Sequence, residues 1–252
     1  RRAERAPAEC LPYSVVINGC QPYIKGINMV PFDIMYGRIQ PETVEHFLRL
    51  ARDAHINLIR IWGGGLIESE YFYDLCDRYG LMVWQEFIQS SSGISNMPSE
   101  LPAFLELLQK TAEHATKEKR NHVSLTYWSG GNELMDSNQV PVGLENRNIK
   151  LLAEIVKRND PDRLFLPTSA SGPLEFLDID RPGQNHDVHG AWKYYGTKEH
   201  YRIFNHSDSQ LHSEFGVDGT ANYEALCTFL EPKNRKVVSM EENIVWRHHG
   251  EW

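Results

Sequence analysis

Two periods of apolar residues alternate along most of the chain. Short, nearly continuous apolar runs recur at residues 24–31, 57–62, 81–84, 123–128, 164–168, 187–192 and 210–214. Runs of that length suit strands buried on both faces. Between them, apolar residues recur at helical spacing: Val44, Phe47, Leu48, Ala51 and Ala54; Tyr71, Phe72, Leu75, Cys76 and Tyr79; Phe104, Leu105, Leu108, Ala112 and Ala115; Ile149, Leu152, Ile155 and Val156. Tyr223, Leu226, Cys227 and Leu230 mark a final helix. Pro41 and Glu42 open the first helix and Gly80 caps the second. Asn18-Gly19, between two β-rich runs, predicts a hairpin over residues 15–24.

Seven strands alternating with helices or loops imply right-handed β-α-β units and a parallel sheet. A doubly wound sheet is the competing architecture. The polar groups at the strand ends favour a barrel, because Asn28, Arg60, Gln85, Asn132-Glu133, His189 and Glu214 would converge on one mouth. The expected fold is an α/β (β/α)8 TIM barrel over residues 14–252, with residues 1–13 a tail or the end of a preceding domain. Residues 241–252 do not read as an eighth strand. The barrel is therefore expected to be incomplete at its C-terminal end, as a fragment of a larger multidomain chain. A Ser- and Gly-rich loop at residues 89–100 is expected over the strand ends.

Composition narrows the partners. The 252 residues carry a formal net charge of −8, which argues against nucleic acid and is compatible with a neutral polar substrate. Eleven Tyr, ten Phe and six Trp offer faces that can stack on sugar rings, although most should fill the core. Cys10, Cys20, Cys76 and Cys227 are too scattered for a disulfide framework or a zinc site, and Cys76 and Cys227 fall on apolar helix faces. No apolar run is long enough to cross a bilayer, so no membrane partner is expected. No secretory signal is evident, and the compartment stays open.

The chemistry concentrates in two stretches. Tyr127-Trp128-Ser129-Gly130-Gly131-Asn132-Glu133-Leu134 is a strand that breaks into two glycines and ends on an amide beside a carboxylate. Leu211-His212-Ser213-Glu214-Phe215-Gly216 delivers a second carboxylate, with His212 alternating on the same strand. Two carboxylates at converging strand ends are what a retaining glycosidase needs: one attacks the anomeric carbon, the other protonates the leaving oxygen. An ionised partner nearby should raise the pKa of the acid. Gly63-Gly64-Gly65 lacks the spacing and lysine of a phosphate loop and is expected to make a tight turn. Asp187 and His189 could ligate a metal, but nothing at ligand spacing completes a set; neither metal nor cofactor is expected. Glu86 could bind sugar or pair with a basic neighbour. A sugar-binding barrel without turnover and a metal-dependent barrel hydrolase are the other classes the sequence admits.

Several stretches resemble a known family. They are Asn18-Gly19 with Ile24-Lys25-Gly26-Ile27-Asn28; Ile59-Arg60-Ile61-Trp62-Gly63-Gly64-Gly65; the run from Phe72 to Phe87; Gly131-Asn132-Glu133; Asp187-Val188-His189-Gly190-Ala191-Trp192; and Ser213-Glu214-Phe215-Gly216. Together they resemble glycoside hydrolase family 2, in its β-mannosidase and exo-β-glucosaminidase branch. The resemblance implies Glu133 as general acid/base and Glu214 as nucleophile. It implies that Asn132 bonds the sugar 2-hydroxyl and that Arg60 holds Glu214. Trp62, Trp84 and Trp192 would wall the sugar subsite, and His189 would reach a sugar hydroxyl or the surroundings of the nucleophile. Asn28 and Glu86 complete the expected substrate-binding set. Gly131 stands where that branch usually has a second Asn, and Gly190 where it usually has an aromatic; both changes would widen the subsite. A β-mannoside is the favoured substrate, with β-galactosidase, β-glucuronidase or exo-β-glucosaminidase activity as alternatives. The family also implies flanking β-sandwich domains in the parent chain.

Overall fold

The computed structural model describes residues 6–217, 219–236 and 242–249. Residues up to Gly216 form one compact unit. Its strands and helices alternate as β1 (Gly26–Met29), α1 (Pro41–Asp53), β2 (Leu58–Ile61), α2 (Glu70–Tyr79), β3 (Met82–Glu86), α3 (Pro102–Lys119), β4 (Leu125–Ser129), α4 (Arg147–Asn159), β5 (Leu164–Leu166), β6 (Asp187–His189), α5 (Thr197–His206) and β7 (Leu211–Glu214). β1 to β5 form one parallel sheet in chain order, and β6 pairs in parallel with β7. This is TIM-barrel winding, with seven strands among the described residues.

The two sheets meet through short links. The Asp187 N–H donates to the Ser171 carbonyl at 3.1 Å, beyond the end of β5. On the open side, the Asn28 amide of β1 donates to the Ser213 carbonyl of β7 at 3.1 Å. Strand alternation divides the side chains. Met29, Ile59, Ile61, Val83, Leu125 and Trp128 face outward and pack with Val44, Leu48, Phe72, Leu75, Leu108, Ala112, Leu152 and Val156 of the helices. Leu58, Met82, Trp84, Tyr127 and Leu166 face inward. Arg60, Glu86 and Ser129 follow them toward the C-terminal mouth.

The helices start where their caps dictate. Ser69 accepts from Phe72 N at 3.3 Å at the head of α2, and Gly80 ends it in the left-handed region at φ 68°. Asn146 accepts from Asn148 N at 3.0 Å to start α4. Both patterns satisfy terminal backbone groups that have no partner within the helix.

Three local expectations change. The Asn18-Gly19 turn forms, with both residues at positive φ, but the hairpin stops at one antiparallel bridge, Ile17 to Cys20. Pro22 has no N–H with which to continue the ladder. The segment expected to be a tail or the end of a preceding domain packs inward: Cys10 and Tyr13 are buried against Leu58, Met82, Trp84, Tyr127 and Leu166. The Tyr13 hydroxyl donates to the Ser171 carbonyl at 3.0 Å, which makes it a plug in the barrel interior; residues 1–5 lie outside the described residues. Helix α5 was not expected; it buries no residue fully.

Residues 217–252 form a second unit. It contains α6 (Tyr223–Phe229) and α7 (Ile244–His249). Asn222 caps α6 at Ala225 N, 2.8 Å away, and Trp246 Nε1 donates to the Asn234 carbonyl at 2.7 Å. Helix α7 occupies the stretch that does not read as an eighth strand; residues 241 and 250–252 of that stretch lie outside the described residues. No helix among the described residues is long and apolar enough to cross a membrane.

Candidate active site

The mouth at the C-terminal ends of the strands is organised by one buried guanidinium. Arg60, 2% exposed, reaches up the barrel axis from β2. Its Nε and one terminal nitrogen donate to Glu86 Oε1 at 3.1 and 3.0 Å. The same nitrogen donates to Asn132 Oδ1 at 2.6 Å. The other donates to Asn28 Oδ1 at 2.9 Å and to Glu214 Oε1. Burial works to push Arg60 down, but Glu86 and then Glu214 outweigh it and hold the guanidinium above its ordinary pKa. Glu86 is itself tied to the Gly63 N–H at 2.8 Å. The three-glycine turn thus presents an N–H to a carboxylate inside the protein.

Glu133 faces this cluster from the end of β4. Its φ is +50°, a left-handed conformation that costs a residue with a Cβ. Neighbouring backbone imposes it: the Glu133 N–H donates to the Ser169 carbonyl at 2.5 Å, and the Leu134 N–H donates to Thr168 Oγ1 at 2.9 Å. Both oxygens of the carboxylate have partners. Oε1 lies 2.9 Å from His189 Nδ1, and Oε2 accepts from Ser91 Oγ at 2.9 Å. His189 Nδ1 is also 3.8 Å from Glu214 Oε2. One oxygen of Glu133, one of Glu214 and one nitrogen of His189 all fall within 4.8 Å of each other.

The expected rise in the Glu133 pKa does not occur. The hydrogen bond with His189 comes first among the causes that hold this carboxyl below its ordinary value, with burial opposing and Ser91 and Arg60 assisting. Glu214 is paired with Arg60, whose charge also helps to hold Glu133 down. Another carboxylate does rise: burial first, then Glu133 and Glu214, push Glu175 to about 7. Glu175 lies beside β6, where its carbonyl accepts the His189 N–H at 2.7 Å.

The aromatic walls are only partly as expected. Trp192 is 37% exposed, edge-on to His189 with centroids 6.4 Å apart. Trp62 is half-buried. Its ring lies against Gly64, where an added Cβ would meet Trp62 Cη2 at 2.0 Å. Trp84 is no wall. At 1% exposure it lies beneath Arg60, whose guanidinium carbon is 5.3 Å from its ring centroid, and edge-on to Tyr127. Strand alternation places it one layer below Glu86, out of reach of a sugar. Glu86 likewise serves Arg60, at 1% exposure. Asn28 and Asn132 hold Arg60 through their carbonyl oxygens, while the Asn132 amide nitrogen donates to Ser90 Oγ at 3.3 Å. His212 points away from Glu214, into Phe204 and Phe215.

Sequence reasoning missed Ser91, Ser169, Glu175 and the pair Gln89–Asn148. The Gln89 side chain donates to the Gly130 carbonyl at 2.9 Å and to Asn148 Oδ1 at 3.0 Å; Asn148 returns a bond to Gln89 Oε1 at 2.8 Å. Both amides are buried. The pair fastens the 89–100 loop to the Gly130-Gly131 turn. A Gln at the start of a Ser-rich loop carries no signal of that role.

A second group, Asp74, Asp77 and His122, also brings ligand atoms within 4.8 Å of each other. His122 is already engaged there by Asp77 at 2.8 Å and Glu70 at 3.1 Å. At the mouth, Arg60 already supplies positive charge to Glu214, and Ser169 occupies the second His189 nitrogen at 3.0 Å.

A family model described as "Glycosyl hydrolases family 2, TIM barrel domain" matches residues 12–200. Beta-mannosidase B of Emericella nidulans is 28% identical over 232 residues, 85% of this chain and 27% of that protein. The beta-mannosidase of Rattus norvegicus is 28% identical over 263 residues, 95% of this chain and 28% of that protein. Among solved structures, the beta-D-mannosidase of Dictyoglomus thermophilum superposes with a TM-score of 0.69 at 28% identity, covering 86% of this chain and 26% of that one. The chain thus spans about a quarter of the length of the relatives it matches.

Proposed function

Since the chain belongs to the glycosyl hydrolase family 2 TIM-barrel family, we propose that it is the catalytic barrel of a retaining β-glycosidase. The observation that carries this reading is the pair of carboxylates at opposing strand ends, with one oxygen of each within 4.8 Å. Retaining enzymes hold their carboxyls about 5–5.5 Å apart, whereas inverting ones leave about 6.5–9.5 Å for a water.

Glu214 is the nucleophile. The Arg60 guanidinium donates to one of its oxygens and leaves the second toward the cleft. It attacks the anomeric carbon as the glycosidic bond breaks, and Glu133 gives its proton to the departing oxygen. Glu133 then takes a proton from water, which displaces Glu214 from the sugar. To do so Glu133 must release either Ser91 or His189 when substrate enters. Asn132 has an amide hydrogen left for the 2-hydroxyl, and Trp62 and Trp192 offer the apolar faces. A β-mannoside is the favoured substrate, on the strength of the relatives' names. The parent protein's other domains are read as flanking β-sandwiches that complete the cleft.

The test is an aryl β-glycoside panel (mannoside, galactoside, glucoside, glucosaminide, glucuronide) run on the full-length protein, with the first-formed anomer read by NMR. Retention with β-mannoside preferred is expected, and Glu214→Ala should lower kcat by several orders of magnitude. Inversion of the anomer, or full activity in Glu214→Ala, would overturn the assignment.

A further inference from the structure

His189 is fully buried, and both of its ring nitrogens have partners. Nδ1 meets Glu133 Oε1 at 2.9 Å, and Nε2 meets Ser169 Oγ at 3.0 Å. Ser169, also fully buried, donates its hydroxyl to Ser213 Oγ at 3.0 Å. A serine has one hydroxyl proton. With that proton directed at Ser213, Ser169 Oγ can only accept from His189, so Nε2 carries a hydrogen. Nδ1 is then left with two states. Either it is a lone pair that accepts from a protonated Glu133, or it holds the proton and donates to a Glu133 carboxylate.

We propose that Ser169 is a positioning residue for the acid/base: the Ser213–Ser169 hydroxyl chain fixes the His189 tautomer, so that one proton is shared between His189 Nδ1 and Glu133 Oε1. This rests on the reading of Glu133 as acid/base. In the transfer, the N–H bond breaks as the O–H bond forms, and no other group changes. His189 acts as a proton store. In the resting site the hydrogen bond to His189 holds the Glu133 carboxyl below its ordinary value. When a substrate oxygen approaches Glu133, the proton passes to Oε1 and on to the leaving group. Removing the Ser169 acceptor destabilises the Nε2–H form and the imidazolium most of all. The pair would then hold its proton less tightly.

Other charged groups face the pair from every side. Glu214 comes from β7, Arg60 from β2, Asp187 from the strand of His189 itself and Glu175 from the segment beside it, with His212 behind. None of them touches Nε2; Asp187 is joined to the chain through Ser213, a bond that Ser169→Ala leaves in place. Ser169→Ala keeps the backbone bonds of residue 169 to Gly131 and Glu133.

The test compares 2,4-dinitrophenyl and phenyl β-glycosides of the sugar selected by the panel, on the full-length protein. Activated aryl groups leave with little protonation, so they report chemistry without the acid. Ser169→Ala should lower kcat/KM on the phenyl substrate by about tenfold or more relative to the dinitrophenyl one. The basic limb of its phenyl pH profile should move down by about half a unit to one unit, the worth of one hydrogen bond. Ser169→Thr, which keeps the hydroxyl, should restore both. Ser213→Ala frees the Ser169 hydroxyl to turn onto Nε2, which forces the hydrogen to Nδ1; it should move the limb the same way, and it carries the test if Ser169→Ala does not fold. Equal losses on both substrates with an unmoved limb would overturn the proposal. Glu133→Ala runs in parallel. If it shows no leaving-group dependence, the acid/base reading itself fails; if it does and the serine variants do not, only the relay fails.

Discussion

Removing Arg60 strands a buried carboxylate and frees a second one. Arg60→Met deletes two hydrogen bonds to Glu86 and one each to Asn28, Asn132 and Glu214. Glu86, 1% exposed, would keep only the Gly63 N–H and a 3.3 Å contact from Ser129. Breaking a buried pair from one side costs about 3–5 kcal/mol, because the remaining charge stays desolvated. Glu214 adds less, since its side chain is 16% exposed and water can reach it. At about 2–4 °C per kcal/mol for a chain of this size, the melting temperature should fall by roughly 6–20 °C. Arg60→Lys should recover little, because three ammonium donors cannot serve four residues arranged around a planar fork. The decisive assay is a double-mutant cycle in thermal or urea unfolding, with Glu86→Gln as the partner. Neutralising Glu86 removes the stranded charge, so the double variant should be less unstable than the sum of the singles by at least about 1.5 kcal/mol. Additivity within about 0.5 kcal/mol would refute the claim that Arg60 and Glu86 form one buried unit.

Three further expectations follow from the same geometry. Tyr13→Ala should destabilise the barrel by about 3–5 kcal/mol in denaturant unfolding, the cost of emptying a buried aromatic site; a loss below about 0.5 kcal/mol would mean that residues 6–13 are a surface tail after all. Gly131→Ala should cost about 1–3 kcal/mol and reduce turnover as well, since its Cβ would meet the Gln89 carbonyl at 2.5 Å and Gln89 Cβ at 2.9 Å; an unchanged melting temperature and rate would show that the loop gives way freely. Glu175 is raised from 4.5 to about 7 in the folded state, so its protonated form favours folding. That contribution is complete below about pH 4.5 and is lost as pH rises through 7. The melting temperature of the wild type relative to Glu175→Gln should therefore decline across that window, discounted because the side chain is only half-buried; a difference that grows with pH would contradict the assignment.

The fold was legible because barrel strands are buried on both faces and their helices on one, and those two periods dominate this sequence. Glu133, Glu214, Arg60 and His189 were legible too, because each is a polar group at the end of an apolar run. What sequence could not supply was depth. Trp84 and Trp62 are both aromatic and both near strand ends. Only the pleat, which puts Trp84 one layer below Glu86, tells the buried ring from the half-buried one. Serine hydroxyls were invisible for a different reason: Ser91, Ser169 and Ser213 acquire roles only from partners on other strands, 42, 20 and 44 residues away in sequence. Proton states were likewise illegible. Two nearby carboxylates suggested mutual repulsion, but the hydrogen bond from His189, with Ser91 and Arg60 assisting, outweighs it at Glu133.

The two glycines that set this chain apart from its expected pattern do different work. A side chain at residue 131 would point into Gln89 and Leu134, with contacts of 2.5 to 3.0 Å, and not toward the cleft. Gly131 is thus required by the backbone: it lets Gln89 close on the turn, and the buried Gln89–Asn148 amide pair then holds the loop that brings Ser91 to Glu133. It cannot widen a sugar subsite, whatever its neighbours. Gly190 is the reverse case. A Cβ there would meet Phe176 at 3.7 Å and Trp192 at 3.8 Å, ordinary contacts with two exposed aromatics beside His189. A larger residue at that position would fill space between those rings, at the cost of holding a φ of +79°. Of the two departures, it is therefore Gly190 that borders the open space beside His189, and Gly131 that bears on how firmly Glu133 is held.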